Sequence, residues 1–180
     1  MKKIILTLSA LALLITVNAQ EKKTEYWPNG NKKSEGTIIG AAVNANASKA
    51  DQARQAANIT KDGTWSSWFE NGNIQSEEHY SNGSMTGSWK SWYDNGKLES
   101  DINFTTGIAT YYHKNGNKHS EGAIKDGMIT TGKWTGYHEN GKKNYEGSYT
   151  AEGKKDGTWT WYDETGKTTT QVYSNGTLVK

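Results

Sequence analysis

One spacing recurs along this chain and limits its fold more tightly than composition does. An aromatic residue is followed four positions later by glycine, mostly as Asn-Gly: Tyr26 and Gly30, Trp68 and Gly72, Trp92 and Gly96, Tyr112 and Gly116, Tyr137 and Gly141, Tyr162 and Gly166. A second glycine stands five residues before the aromatic in five copies: Gly63, Gly87, Gly107, Gly132 and Gly157. Two residues after it comes Trp65, Trp89, Trp134 or Trp159, with Ala109 in the remaining copy. The first set of glycines is spaced 42, 24, 20, 25 and 25 residues apart. Such a period marks a tandem array, in which each unit is one supersecondary element that needs its neighbours for a core. A motif residue here is scaffold before it is anything else.

Each unit reads as a β-hairpin. Thr64 to Glu70 is rich in Trp and Phe, Asn71-Gly72 is a turn signal, and Asn73 to Tyr80 returns. Asn-Gly favours a two-residue type I′ turn, with positive φ at both central positions. That loop would set Phe69 against Ile74 and Tyr93 against Leu98, and would pair Asp94 with Lys97 and Glu139 with Lys142. The return strand carries an apolar residue twelve positions after the anchor aromatic: Ile38, Tyr80, Phe104, Ile124 and Tyr149. The last unit keeps this spacing only from Trp161 to Tyr173, which implies an extra residue in its turn, Glu164-Thr165-Gly166. Alternation places Leu98, Ser100, Ile102 and Phe104 on one packed face, the other being wet. Trp65 and Trp68 are three apart. Either a bulge rotates one of them, or both faces bear aromatics.

The expectation is an all-β fold: tandem antiparallel hairpins, period about 20–25, in an elongated, twisted single sheet or solenoid-like array. The array would span 20–180. Residues 1–19 read as a cleaved signal peptide: Lys2 and Lys3, an apolar run from Ile4 to Val17, and small residues at Val17 and Ala19. The run is too short for a spanning helix, and no cysteine follows it to anchor a lipoprotein. Export to the periplasm, cell surface or medium follows.

Removing Lys2 and Lys3 from 21 basic residues leaves 19 against 19 acidic ones, so the mature chain is formally neutral. That excludes the electrostatic footprint of nucleic-acid binding and of strong anionic-membrane binding. The absence of cysteine excludes disulfides, thiol catalysis and thiolate metal sites. Beyond the leader stand only 15 Ile, Leu, Val and Phe, against 18 Trp and Tyr. The aromatics must supply the core, each burying about 150–250 Å². One stretch breaks the period: 40–58, rich in Ala, Asn and Gln, reads as an inserted surface loop. Ser48 and Asp51 resemble a capping box ahead of Lys49 to Ala57, a segment of fair helix propensity.

The unit Gly-x-Trp-x-x-Trp/Tyr-x-x-Asn-Gly-Lys/Asn resembles the bacterial MORN-type repeat. The closest stretches are Gly87 to Leu98 and Lys155 to Tyr162. Proteins of this type are commonly labelled YwqK-family antitoxins, and the resemblance implies protein interaction, with phospholipid binding a further association. A leader sits poorly with a cytoplasmic antitoxin.

Candidates for chemistry are few. His113 and His138 occupy the slot of Trp27, Phe69 and Tyr93, and His79, His113, His119 and His138 lie in different units or strands without cysteine partners, so no metal is expected. Glu77 and Glu78 alternate faces on a strand. The glycines stand at turns rather than opening a helix, so they form no phosphate loop. No catalytic residue and no cofactor are expected. The chain reads as a non-enzymatic interaction or scaffold module with a protein partner. The alternative is a glycan- or cell-wall-binding protein whose contact aromatics would be Trp65, Trp68, Trp89, Trp92, Tyr112, Trp134, Tyr137 and Trp159. A further alternative is an antitoxin-like or immunity-type partner of a toxin.

Overall fold

The structure, a computed structural model, describes residues 20–40, 46–57 and 59–180. The expected leader, and residues 41–45 and 58 of the expected insertion, lie outside them. Six hairpins follow in chain order. They are β1 (Gln20–Tyr26) with β2 (Lys32–Ile39), β3 (Thr60–Trp68) with β4 (Ile74–Ser81), and β6 (Ser88–Trp92) with β7 (Leu98–Asn103). Then come β8 (Ile108–Tyr112) with β9 (Lys118–Lys125), β10 (Ile129–Tyr137) with β11 (Lys143–Tyr149), and β12 (Lys155–Tyr162) with β13 (Thr168–Ser174). Two short strands, β5 (Ser84–Met85) and β14 (Thr177–Leu178), extend β4 and β13. All belong to one open antiparallel sheet in sequence order, with β5 beside β4. This is the all-β hairpin array that the spacing dictates.

The insertion carries a helix, α1 (Lys49–Ala57). Ser48 Oγ accepts the Asp51 backbone N–H at 3.2 Å and donates to Asp51 Oδ2 at 2.7 Å, so the cap forms as its two residues suggest.

The motif turns are not type I′. In every unit the residue after the anchor aromatic accepts the glycine N–H, as Phe69 does from Gly72 at 2.9 Å, and donates to the residue after the glycine, as Phe69 does to Asn73. This is a three-residue loop, a type I turn followed by glycine in the left-handed region. Gly72 has φ +88° and Gly96 +80°, whereas no asparagine of these turns has positive φ. Type I′ geometry occurs elsewhere, at Asn82-Gly83 (φ 48° and 80°) and Asn175-Gly176 (47° and 88°), which join the short strands. The longer loop changes the register. Ile74 faces Trp68 rather than Phe69, and Leu98 faces Trp92 rather than Tyr93. Lys97 and Lys142 do not pair within their own turns; they donate to the Asn115 and Glu164 carbonyls of the following ones.

A bulge follows each of the first five turns. Lys33, Gln75, Glu99, His119 and Asn144 are left without a partner opposite. The bulge resets the alternation. Leu98 therefore shares a face with Trp92, while Ser100 and Ile102 share the other with Ser91 and Trp89. The last unit has the same three-residue turn but no bulge, since Tyr162 faces Thr168 and Trp161 faces Thr169 without a shift. Its spacing is short by a missing bulge residue, not long by an extra turn residue. Trp65 faces Glu78 and Trp68 faces Ile74, on opposite sides of the sheet, so both faces bear aromatics.

Candidate interaction surface

On one side of the sheet, the indole face, three of the four tryptophans that stand two residues after the second glycine lie over the return strand of the preceding hairpin. Trp65 covers Gly36, Trp134 covers Gly122, and Trp159 covers Gly147; a Cβ on any of these glycines would fall inside the ring. The flat contact lets each indole N–H reach the carbonyl one residue on: Trp65 to Thr37 at 2.9 Å, Trp134 to Ala123 at 2.9 Å, Trp159 to Ser148 at 3.1 Å. Trp134 and Trp159 are 5% and 1% exposed. Each contributes on the order of 4–6 kcal/mol by area. Where the slot holds Ala109, the strand before it holds Ile102 in place of glycine, and these two face each other fully buried. Bulk has moved from one strand to the next. Tyr149 packs edge-on against both Trp134 and Trp159, and Lys155 Nζ lies 4.4 Å from the centre of the Trp159 ring and 4.9 Å from that of Trp161.

The turn edge is tied unit to unit. The asparagine before the glycine accepts the backbone N–H two residues on and donates to the next turn: Asn71 and Asn73 both reach the Asp94 carbonyl, and Asn115 and Asn117 both reach that of Glu139. The residue after the anchor reaches the next anchor's carbonyl. Trp27 bonds Trp68, Tyr93 bonds Tyr112, His113 bonds Tyr137 and His138 bonds Tyr162, at 3.0, 2.6, 2.9 and 2.7 Å. The two histidines therefore link strands. His119, in a bulge, packs edge-on against His113 at 4.7 Å. Burial and the neighbouring His113 hold its pKa below the ordinary value. His79 lies 3.1 Å from Thr64 Oγ1.

The opposite face, the ladder face, carries the anchors Trp68, Trp92, Tyr112, Tyr137 and Tyr162, all half-buried. A three-residue set recurs on it. Lys118 bonds Glu121 at 2.7 Å, and Glu121 accepts the Tyr137 hydroxyl at 2.9 Å. One unit later Lys143, Glu146 and Tyr162 do the same. Lys118 and, less strongly, Tyr137 hold the Glu121 carboxyl below its usual range; Tyr162 and then Lys143 do so for Glu146. Register puts Glu77, Lys90, Asp101, Thr110 and Glu121 on consecutive strands of this face. Glu78, by contrast, points to the indole face, where it meets Lys61 and Tyr80.

Of the eight expected contact aromatics, Trp65, Trp89, Trp134 and Trp159 stand on the indole face, and Trp68, Trp92, Tyr112 and Tyr137 on the ladder face. The glycines six residues after the turn, and the Lys-Glu-Tyr sets, are not among the residues that the spacing singles out. Isolated glycines inside strands, signalling close approach of another group, were the available clue.

A family model described as MORN repeat variant matches residues 61–82, 85–106, 130–151 and 155–173. These are the second, third, fifth and sixth hairpins. The unmatched stretch between them holds Ala109. No curated protein matches the sequence. A solved structure described as the crystal structure of GtfA/B complex bound to UDP and GlcNAc is 15% identical, over 63% of this chain and 23% of that one, with a TM-score of 0.29. The chain thus corresponds to less than a quarter of the length of that protein.

Proposed function

We propose, from the premise that this chain is a MORN-repeat protein across residues 61–173, that it is an exported scaffold whose ladder face engages a protein partner at the cell envelope. MORN repeats are generally protein- or membrane-interaction modules and typically non-enzymatic. One observation carries the choice of face. Motif side chains of the indole face and of the turn edge are largely engaged in holding neighbouring units together. The ladder face, although Tyr137 and Tyr162 bond Glu121 and Glu146 of the preceding hairpins, presents half-exposed aromatics beside lysines and carboxylates along its length, the mixture suited to interface anchors with a polar surround. The neutral balance beyond the leader favours a protein over nucleic acid or an anionic membrane. The leader-like run at 4–17 supports export.

The test is photocrosslinking in the native cell. A photoreactive residue at Ile74 or Leu98, on the ladder face, should give a discrete adduct recovered from the envelope or medium. The same residue at Thr105, exposed in the connection between β7 and β8 at the far ends of the strands, should not. Adducts from both positions, or from neither, would remove the ladder face as the interface, and recovery in the cytosol would remove export. A toxin as the captured protein would turn the scaffold into an immunity-type partner.

A further inference from the structure

The units are not joined equally. Between the second and third hairpins, β4 and β6 share only two register pairs, Ser76 with Ser91 and Glu77 with Lys90. Asn71 and Asn73 still reach the Asp94 carbonyl across it, but the other two recurrent links between units are missing there. The strand position that holds glycine beneath Trp65, Trp134 and Trp159 holds Glu78, and the Trp89 indole N–H is buried with no hydrogen-bond partner among the described residues. The slot from which Trp27, Tyr93, His113 and His138 bond the next anchor holds Phe69, which has nothing to donate.

The same junction lacks filler. In the C-terminal units the row between the anchors and the indoles is occupied by Tyr111, Tyr145 and Trp161. Around this junction it is serine: Ser67 faces Ser76, which faces Ser91, which faces Ser100. The result is an open cleft of about 790 Å³ on the indole face. Ser67, Ser76 and Ser91 line it, with Phe69 and Tyr93 toward the turns and Trp89 on the far side. The Glu78 and Glu99 carboxylates also line it.

We propose that this cleft is a carbohydrate subsite that takes a pyranose unit of a neutral glycan. The flat aromatic faces suit the C–H faces of a sugar ring. Carboxylates accept from its hydroxyls, and serine hydroxyls both donate and accept. The Glu99 carboxylate accepts from Ser91 and the Glu78 carboxylate from Lys61 and Tyr80, and each carboxylate keeps further lone pairs for sugar hydroxyls. The nearby cation, Lys114, is already placed over the Tyr93 ring at 5.7 Å and 3.9 Å from Asp94. The cleft opens on the face opposite the proposed protein interface, so the inference does not depend on that reading.

The experiment follows the tryptophan indole N–H resonances of the ¹⁵N-labelled protein, with Trp89→Phe used for assignment. Chitotetraose, maltotetraose and tetramethylammonium are added separately at millimolar concentration. The expected result is a saturable shift of the Trp89 resonance with at least one oligosaccharide, while Trp134 and Trp159 stay in place. Ser91→Tyr, which puts in this row the residue type found at Tyr111, should abolish the shift and leave the melting temperature at or above that of the parent. Phe69→Ala should weaken it. No shift with either sugar, a shift with tetramethylammonium alone, or a sugar shift that survives in folded Ser91→Tyr would each overturn the proposal.

Discussion

Trp159 lies flat over Gly147, twelve residues before it in sequence and on the adjacent strand of the sheet. The pair joins two neighbouring hairpins, and it explains how an open single sheet with few aliphatic residues keeps a core. The indole needs a bare backbone beneath it, and the backbone gains both cover and a hydrogen bond. Gly147→Ala should therefore cost about 1–3 kcal/mol or more through overpacking. Trp159→Ala should cost about 3–5 kcal/mol through the cavity. Urea melts with far-UV detection check both, and a parent-like midpoint for Gly147→Ala would contradict the contact.

Ile102 and Ala109 form the size-reversed version of that pair. Ala109→Trp alone should destabilise, because Ile102 occupies the space. Ile102→Gly alone should destabilise by leaving a cavity. The double variant recreates the glycine-indole arrangement and should recover part of the loss, with a coupling of about 0.5–3 kcal/mol in a double-mutant cycle. Simple additivity would show that the two positions do not share one space.

Gly96 has φ +80° and open space around its missing Cβ, so a substitution there is strained by backbone alone. Gly96→Val should cost about 1–3 kcal/mol. Gly96→Asn should cost less, since asparagine tolerates the left-handed region. Equal midpoints for the two variants in denaturant would rule out this origin of the cost.

The turn-edge ladder gives a smaller effect. Asn117→Ala removes the 2.7 Å bond to the Glu139 carbonyl at an exposed site, while Asn115 still reaches the same atom. The single variant should lose at most about 0.5 kcal/mol, and the Asn115, Asn117 double alanine variant about 0.5–1.5 kcal/mol. Amide exchange at Gly116 and Gly141 reports whether the loss stays at those two turns.

Acid stability should depend on Glu121 and Glu146, whose carboxyls are held below their ordinary value of 4.5. A depressed folded pKa gives stability that is present above the unfolded value and lost as pH falls through the folded one. Tyr162→Phe removes the hydroxyl that contributes most to the shift at Glu146. The variant should lose more stability relative to the parent at pH 7 than at low pH, where the carboxylate is protonated in both. A difference that does not change with pH would assign the effect to packing instead.

The period, the hairpins and the reliance on aromatics were legible because a short spacing repeated six times. The bulges at Lys33, Gln75, Glu99, His119 and Asn144 were not. A residue inserted in every one of those copies leaves the period unchanged, and only the sixth unit, which lacks it, disturbs the count. The turn type was misread for a related reason. Asn-Gly favours type I′, but here each asparagine side chain accepts the backbone N–H two residues on and its backbone keeps negative φ. Glycine beneath tryptophan was hidden because the partners sit in different units, and Gly36, Gly122 and Gly147 look like weak points in a strand until the ring above is known. The cleft beside Trp89 depends on what is missing from one junction, which a reading built on what recurs passes over.

The open sheet in chain order also sets how the protein meets tension. Its first and last strands, β1 and β13, lie at opposite margins, with β14 only a short extension of the latter. A pull on the two chain ends runs across the strands, along the direction of their hydrogen bonds. That geometry peels rather than shears, so bonds break a pair at a time. Extension should strip β14 and then release hairpins one by one in steps of about one repeat, with β4 and β6, joined by two register pairs, the first junction between hairpins to part.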